Sequence, residues 1–150
     1  MSPGGGRARA HRSGPPAISL TAVELSEWIG NYARAWETAD EELIASLFTE
    51  DAEYRSSPFR EPHRGPDEIR AYWRRGAGTQ RQTRVVMGRP FVDGNRVVVE
   101  WWTTMIDDGE TVTLPGCLLL EFAADGRCRR LREYWNLQPG TRGPFEGWGT

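Results

Sequence analysis

The stretch "LREYWN", Leu131 to Asn136, holds the residue best placed to do chemistry. Strand alternation sends Leu131, Glu133, Trp135 and Leu137 to one face, and Arg130, Arg132, Tyr134 and Asn136 to the other. Glu133 is then a lone carboxyl on an apolar face. Loss of water disfavours its ionised form and raises its pKa toward the range useful for general acid–base work. The alternative is a structural carboxylate held by a buried arginine such as Arg84, or by backbone donors. Tyr32, in "YARAWETAD", and Tyr54, in "AEYRSS", could donate to a substrate carbonyl or position a water. A buried tyrosine also needs a polar partner in any ordinary core. Ser56 shares the strand face of Tyr54 and could hold a water, or simply turn the chain before Pro58. His63 and Phe59 lie in "SSPFREPHRGP", a loop expected to border the mouth of the interior. There His63 could shuttle protons or stand in solvent.

These side chains need elements to bring them together. In "LTAVELSEWIGNYARAWETAD", Thr21 reads as an N-cap and Glu24 completes a capping box. Trp28, Tyr32 and Trp36 then recur every fourth residue along one helical stripe. Asp40 caps a second short helix, "EELIASLF", with Leu43, Leu47 and Phe48 facing inward. "GPDEIRAYWRR" is a third, with Pro66 in its first turn and Ile69, Tyr72 and Trp73 on its buried side. From residue 82 the period changes to two. "QTRVVMGRPFV", "NRVVVEWWTTMI", "TVTLPGCLLLEF" and "CRRLREYWNLQ" are strands joined by the short turns "DG", "DDGE" and "ADG". Helices first and an antiparallel meander afterwards predict an α+β domain with helices on one face of a curved sheet. Inward aromatics on such a sheet predict a cleft with aromatic walls rather than a solid core.

Composition removes several functions. The 150 residues suffice for one domain with a real core. A net charge of −2 gives no general attraction to nucleic acid or anionic membrane. All nineteen basic residues are arginine, which excludes Schiff-base lysine chemistry and a lysine-containing phosphate loop. Cys117, Cys128 and two histidines lack metal-ligand spacing, so neither a metal nor a cofactor is expected. The opening "MSPGGGRARAHRSGPP" has no apolar core of a signal peptide; residues 1–19 read as a disordered tail and the protein as cytoplasmic. Residues 20–138 form the domain, and 139–150 an extension expected to pack back through Phe145 and Trp148. Trp102, Tyr134, Leu119 and Cys117 would make the outer sheet face apolar, as for a homodimer interface.

"YARAWETADEELIASLFTEDAEY", "GPDEIRAYW" and "LPGCLLLEFAADGRCRRLREYWN" resemble the nuclear transport factor 2-like, or SnoaL-like, superfamily over about Leu20 to Leu137. The resemblance implies a cone of three N-terminal helices packed on a strongly curved, mostly antiparallel mixed sheet, often dimeric, around a hydrophobic cavity. Tyr32 falls where the ketosteroid isomerase pattern has its oxyanion-hole tyrosine. That pattern's two aspartates fall on Ser56 and near Leu118. Tyr54 and Glu133 match the water-holding tyrosine and water-activating carboxylate of the limonene-type epoxide hydrolases. In that pattern Ser56 replaces an asparagine, and Trp101 and Thr103 replace an arginine and an aspartate. The expected catalytic set is Glu133, Tyr54 and Tyr32. The expected substrate-binding set is Trp36, Ser56, Phe59, His63, Trp73, Trp101, Thr103, Leu118 and Trp135. Together they imply cofactor-independent isomerisation, dehydration, cyclisation or water addition on a hydrophobic small molecule, or a non-catalytic module of the same fold.

Overall fold

Helix α1, Ala22–Thr38, begins where the chain supplies its cap. In the computed structural model, which describes residues 20–150, the Thr21 hydroxyl accepts from the Glu24 amide at 3.1 Å. The Glu24 carboxylate accepts in turn from the Thr21 amide at 2.8 Å, which closes the capping box. The expected N-terminal tail lies outside the described residues. Asp40 caps α2, Glu41–Ser46, by accepting from the Leu43 amide. This helix is shorter than its apolar pattern suggests. Ile44 and Ala45 are its buried side chains, Leu47 stands at its C-cap, and Phe48 already opens strand β1.

Strand β1, Phe48–Arg55, and the short β2, His63–Arg64, precede α3, Gly65–Ala77, so the helices are not consecutive. The remaining strands are β3 Gln80–Met87, β4 Phe91–Asp93, β5 Arg96–Asp107, β6 Glu110–Phe122, β7 Cys128–Trp135 and β8 Gln138–Pro139. The main sheet runs β2-β1-β7-β6-β5-β3. Strand β1 joins β7 in parallel and the other neighbours are antiparallel, giving the mixed, curved sheet with helices on its inner face. The strand expected from residue 82 onward is broken at Gly88 to Pro90, because Pro90 has no N–H for the ladder. Within β3 the register slips between Arg81 and Arg84, with Gln82 at φ 52°, as in a β-bulge. Asp108 and Gly109, at φ 49° and 83°, make the tight turn between β5 and β6.

Trp28 ties helix to sheet. Its ring stacks on Tyr32 and meets Phe48 and Phe122 edge-on, while Nε1 donates to the Leu47 carbonyl at 3.0 Å. On the outer face, the C-terminal segment crosses the sheet. Trp102 Nε1 donates to the Arg142 carbonyl at 2.8 Å, Trp148 packs against the Trp102 ring, and the Arg89 amide donates to the Gly149 carbonyl. Phe145 stays exposed. Among the described residues no helix is long and apolar enough to cross a membrane.

The curvature of the sheet lets the Trp101 indole lie across Gly116, its cross-strand partner. A Cβ at Gly116 would stand 2.7 Å from both Trp101 Cε2 and the Tyr134 carbonyl oxygen. Gly116→Ala is therefore expected to lower unfolding free energy by about 1–3 kcal/mol, as overpacking does. Urea denaturation checks this, and an unchanged midpoint would contradict the close packing.

Candidate active site

Glu133 lies within β7 and turns inward, 6% exposed. Its Oε1 accepts a hydrogen bond from Tyr54 Oη at 3.2 Å, and Tyr54 Oη stands 3.1 Å from Tyr32 Oη. The three residues come from β7, β1 and α1, which adjoin because β1 pairs in parallel with β7, Tyr54 beside Leu131. With Tyr54 donating to the carboxyl, its oxygen is free to accept from Tyr32, so the hydroxyls form a chain that ends on Glu133. Among the described residues, no arginine pairs with the carboxyl. Arg84, the partner considered from sequence, lies exposed on β3.

Burial dominates the electrostatics. Desolvation pushes Glu133 up to about 8, and the Tyr54 hydrogen bond offsets only part of that. Burial, followed by the Glu133 charge, pushes Tyr54 and Tyr32 well above the usual phenol range, so both stay neutral donors. Tyr72 is raised for the same two reasons.

The cleft beside this chain is lined by Tyr32, Trp36, Tyr54, Tyr72, Trp73, Glu133, Gln80, Gly76 and Ala77, with a volume of about 60 Å³. That is room for about two waters. The aromatics expected to wall a roomy pocket instead fill most of it. The Trp36 ring sits 4.9 Å from that of Trp101 and 6.1 Å from that of Trp73, and Tyr32 lies 5.6 Å from Trp73. Trp36 Nε1 donates to Gln80 Oε1 at 2.9 Å. Trp73 Nε1, buried in the cleft wall, has no partner.

A family model of the SnoaL-like domain matches residues 29–131. The chain belongs to the SnoaL-like family. Solved structures share the fold of this SnoaL-like chain. An LEH-like epoxide hydrolase of M. tuberculosis superposes with TM-score 0.64 at 23% identity, over 76% of this chain and 84% of that one. The epoxide hydrolase/cyclase-like enzyme SalBIII, described in pyran ring formation in polyether salinomycin, gives 0.65 at 19%, over 74% and 89%. A protein of ketosteroid isomerase-like fold from Catenulispora acidiphila, in complex with trimethylamine, gives 0.66 at 18%, over 72% and 84%. No curated protein matches the chain in sequence.

Of the residues singled out from sequence, this SnoaL-like domain gathers Glu133, Tyr54, Tyr32, Trp36 and Trp73 at the cleft. Trp101 lies one layer deeper, behind Trp36. Thr103 and Leu118 are fully buried off the cleft, Leu118 in register with Glu133, and Thr103 Oγ1 has no partner. Ser56 is buried just past the end of β1, where its carbonyl accepts from Trp135 Nε1 at 3.1 Å. Trp135 itself is 45% exposed, because β7 ends there and the chain leaves the sheet. Phe59, at 95% exposure, points to solvent from its loop and takes no part. His63 stacks on Tyr72 at 4.3 Å, outside the cleft lining. Sequence reasoning passed over Tyr72 and Gln80 as site residues. The spacing of Ile69, Tyr72 and Trp73 does put Tyr72 on the inward face of α3; no local signal marks Gln80.

A carboxyl raised from 4.5 to about 8 makes the folded state hold a proton that the unfolded chain has lost. Stability from this group is complete below about 4.5 and declines as pH rises to about 8, by at most about 1.4 kcal/mol per pH unit. Glu133→Gln removes that dependence. Thermal unfolding at pH 5 and 8 should show the gap between variant and parent widening in favour of the variant at the higher pH. The comparison cancels the opposite contribution of His63, whose pKa is lowered by burial and then by Arg75. Parallel pH profiles would refute the raised pKa.

Proposed function

We propose that the cleft is a cofactor-independent acid–base site for a small, largely apolar molecule, with Glu133 as the proton-exchanging group. One observation carries this reading. Among the described residues, the buried carboxyl has no cationic partner and accepts a hydrogen bond from one tyrosine hydroxyl. Near neutrality it holds its proton and acts as a general acid. The carboxylate left behind is the base for the return step, and Tyr54, backed by Tyr32, stabilises it. Isomerisation, dehydration, cyclisation and water addition all fit a proton given and taken at one group. The likeness to an LEH-like epoxide hydrolase and to SalBIII supports the same class.

A non-catalytic binding module is the second reading, favoured by Ser56 and Thr103 standing where a second carboxyl would be needed. Glu133→Gln separates the two. For an enzyme, turnover falls by about 10²–10⁴-fold with ligand affinity nearly kept. Full turnover in the folded variant would remove Glu133 from catalysis. Altered affinity in a chain without turnover would favour the binder.

The reading includes a homodimer formed through the outer sheet face. Of the outer-face residues expected there, Tyr134 is exposed and Leu119 and Cys117 half-buried, whereas Trp102 is covered by the chain's own Arg142 and Trp148. Val98 and Phe91 add apolar surface beside Leu119, and Arg96 and Arg132 stand near Glu53 and Asp93 in the same groove. Opposite charges within one patch suit pairing with a second copy. Leu119→Arg is expected to convert a dimer to a monomer in analytical ultracentrifugation. A parent chain that sediments as a monomer at micromolar concentration would overturn the dimer.

A further inference from the structure

The closed cleft is too small for a reacting carbon frame, yet its wall holds an unused donor. A volume of about 60 Å³ takes two waters. Trp73, 7% exposed, keeps a ring N–H that has no partner among the described residues. A buried donor without an acceptor is costly, and native interiors leave few of them.

The room is taken by Trp36. Its ring packs edge to face against Trp101 at 4.9 Å, Trp73 at 6.1 Å and Tyr32 at 6.4 Å. Trp73, Trp101 and Tyr32 are buried, whereas Trp36 is half-buried in the last turn of α1. Its one side-chain hydrogen bond runs from Nε1 to Gln80 Oε1 at 2.9 Å, on the first residue of β3. Of the three tryptophans packed here it is the least covered, and a single neutral hydrogen bond holds it with little net stability. Gly76, which lines the same cleft, has no atom within 4 Å of where its Cβ would stand, so open space adjoins the lining there. An apolar cavity of about 150 Å³ holds benzene, and the cleft joined to the space of an indole ring is of that order.

The polar groups of the lining decide what takes the place of the indole. Tyr54 gives its proton to Glu133 Oε1, Tyr32 gives its own to Tyr54, and Tyr72 is bonded to Ser56. Gln80 Oε1 is engaged by Trp36. The hydrogens left unused are Trp73 Nε1–H and, near neutrality, the proton that Glu133 keeps. Both groups are donors, and they call for an acceptor.

We propose that Trp36 is the gate of the cleft, its indole standing where the ligand goes, and that the ligand is an apolar ring carrying one acceptor oxygen, such as a cyclic ketone or ether. Trp73 Nε1–H and the protonated Glu133 receive that oxygen once the indole swings out. This rests on the reading of the cleft as an acid–base site, and names the class of its ligand and the residue that admits it.

Indanone is the probe, since its fused frame matches an indole and carries a carbonyl. Indane is the same frame without the acceptor. Titrations followed through the tryptophan side-chain N–H resonances, with Trp36 assigned from Trp36→Leu, test the gate. The parent chain should bind indanone, with the Trp36 resonance leaving its hydrogen-bonded position. Gln80→Ala, which removes the acceptor that holds the ring, should bind about three- to tenfold tighter. Indane should bind about fivefold more weakly than indanone, and Trp73→Phe should remove most of that difference. If Trp36→Leu binds indanone while the parent and Gln80→Ala do not, the ring is a fixed wall. That result overturns the gate and leaves the cleft standing as a site. No binding by any of the three overturns both. Binding with the Trp36 resonance unmoved also overturns the gate, and indane binding as tightly as indanone overturns the ligand class.

Discussion

A carboxyl group taken out of water among tyrosines and tryptophans keeps its proton unless a cation or several donors offset its charge. At Glu133 the structure supplies a single phenol hydroxyl, itself backed by a second one. That constraint organises the inner end of the cone. It requires β1 beside β7 so that Tyr54 reaches the carboxyl, and α1 across both so that Tyr32 reaches Tyr54. It also keeps a proton on this group at a pH where an exposed glutamate is already ionised.

The aromatics do two things at once. Trp28, Phe48 and Phe122 hold helix to sheet by edge-to-face contact and make an ordinary core. One layer along, Trp36, Trp73 and Trp101 fill space that would otherwise be pocket, and the indole of Trp101 lies against a strand position where only glycine leaves room. What remains open is narrow, and its boundary is made of rings and one acid.

Much of the fold was legible because its signals are local. The capping box at Thr21 and Glu24, the Asp40 cap and the turn at Asp108 and Gly109 each depend on three or four neighbouring residues. Alternation along "LREYWN" likewise put Glu133 inside. It failed two residues later at Trp135, because alternation tells which face a side chain takes but not where the cover over that face ends. Phe59 misled for a related reason. An aromatic in a loop has no periodicity to orient it, and this one faces water. Tyr72 was readable as a buried helix residue, but its place beside Tyr54 depends on how α3 crosses the sheet.

The sequence by itself determined the element types, the SnoaL-like likeness and the presence of a carboxyl on an apolar strand face, since periodicity and capping act over a few residues. It also ruled out lysine Schiff-base chemistry on this chain, which has no lysine. Only the tertiary structure decided that Tyr54 and Tyr32 form one hydrogen-bonded chain with Glu133, residues 79 and 22 positions apart along the sequence in successive links. Only it decided the volume left beside them. Cavity volume is a small difference between the space the sheet encloses and the space the side chains fill, and close packing makes that difference depend on every contact at once.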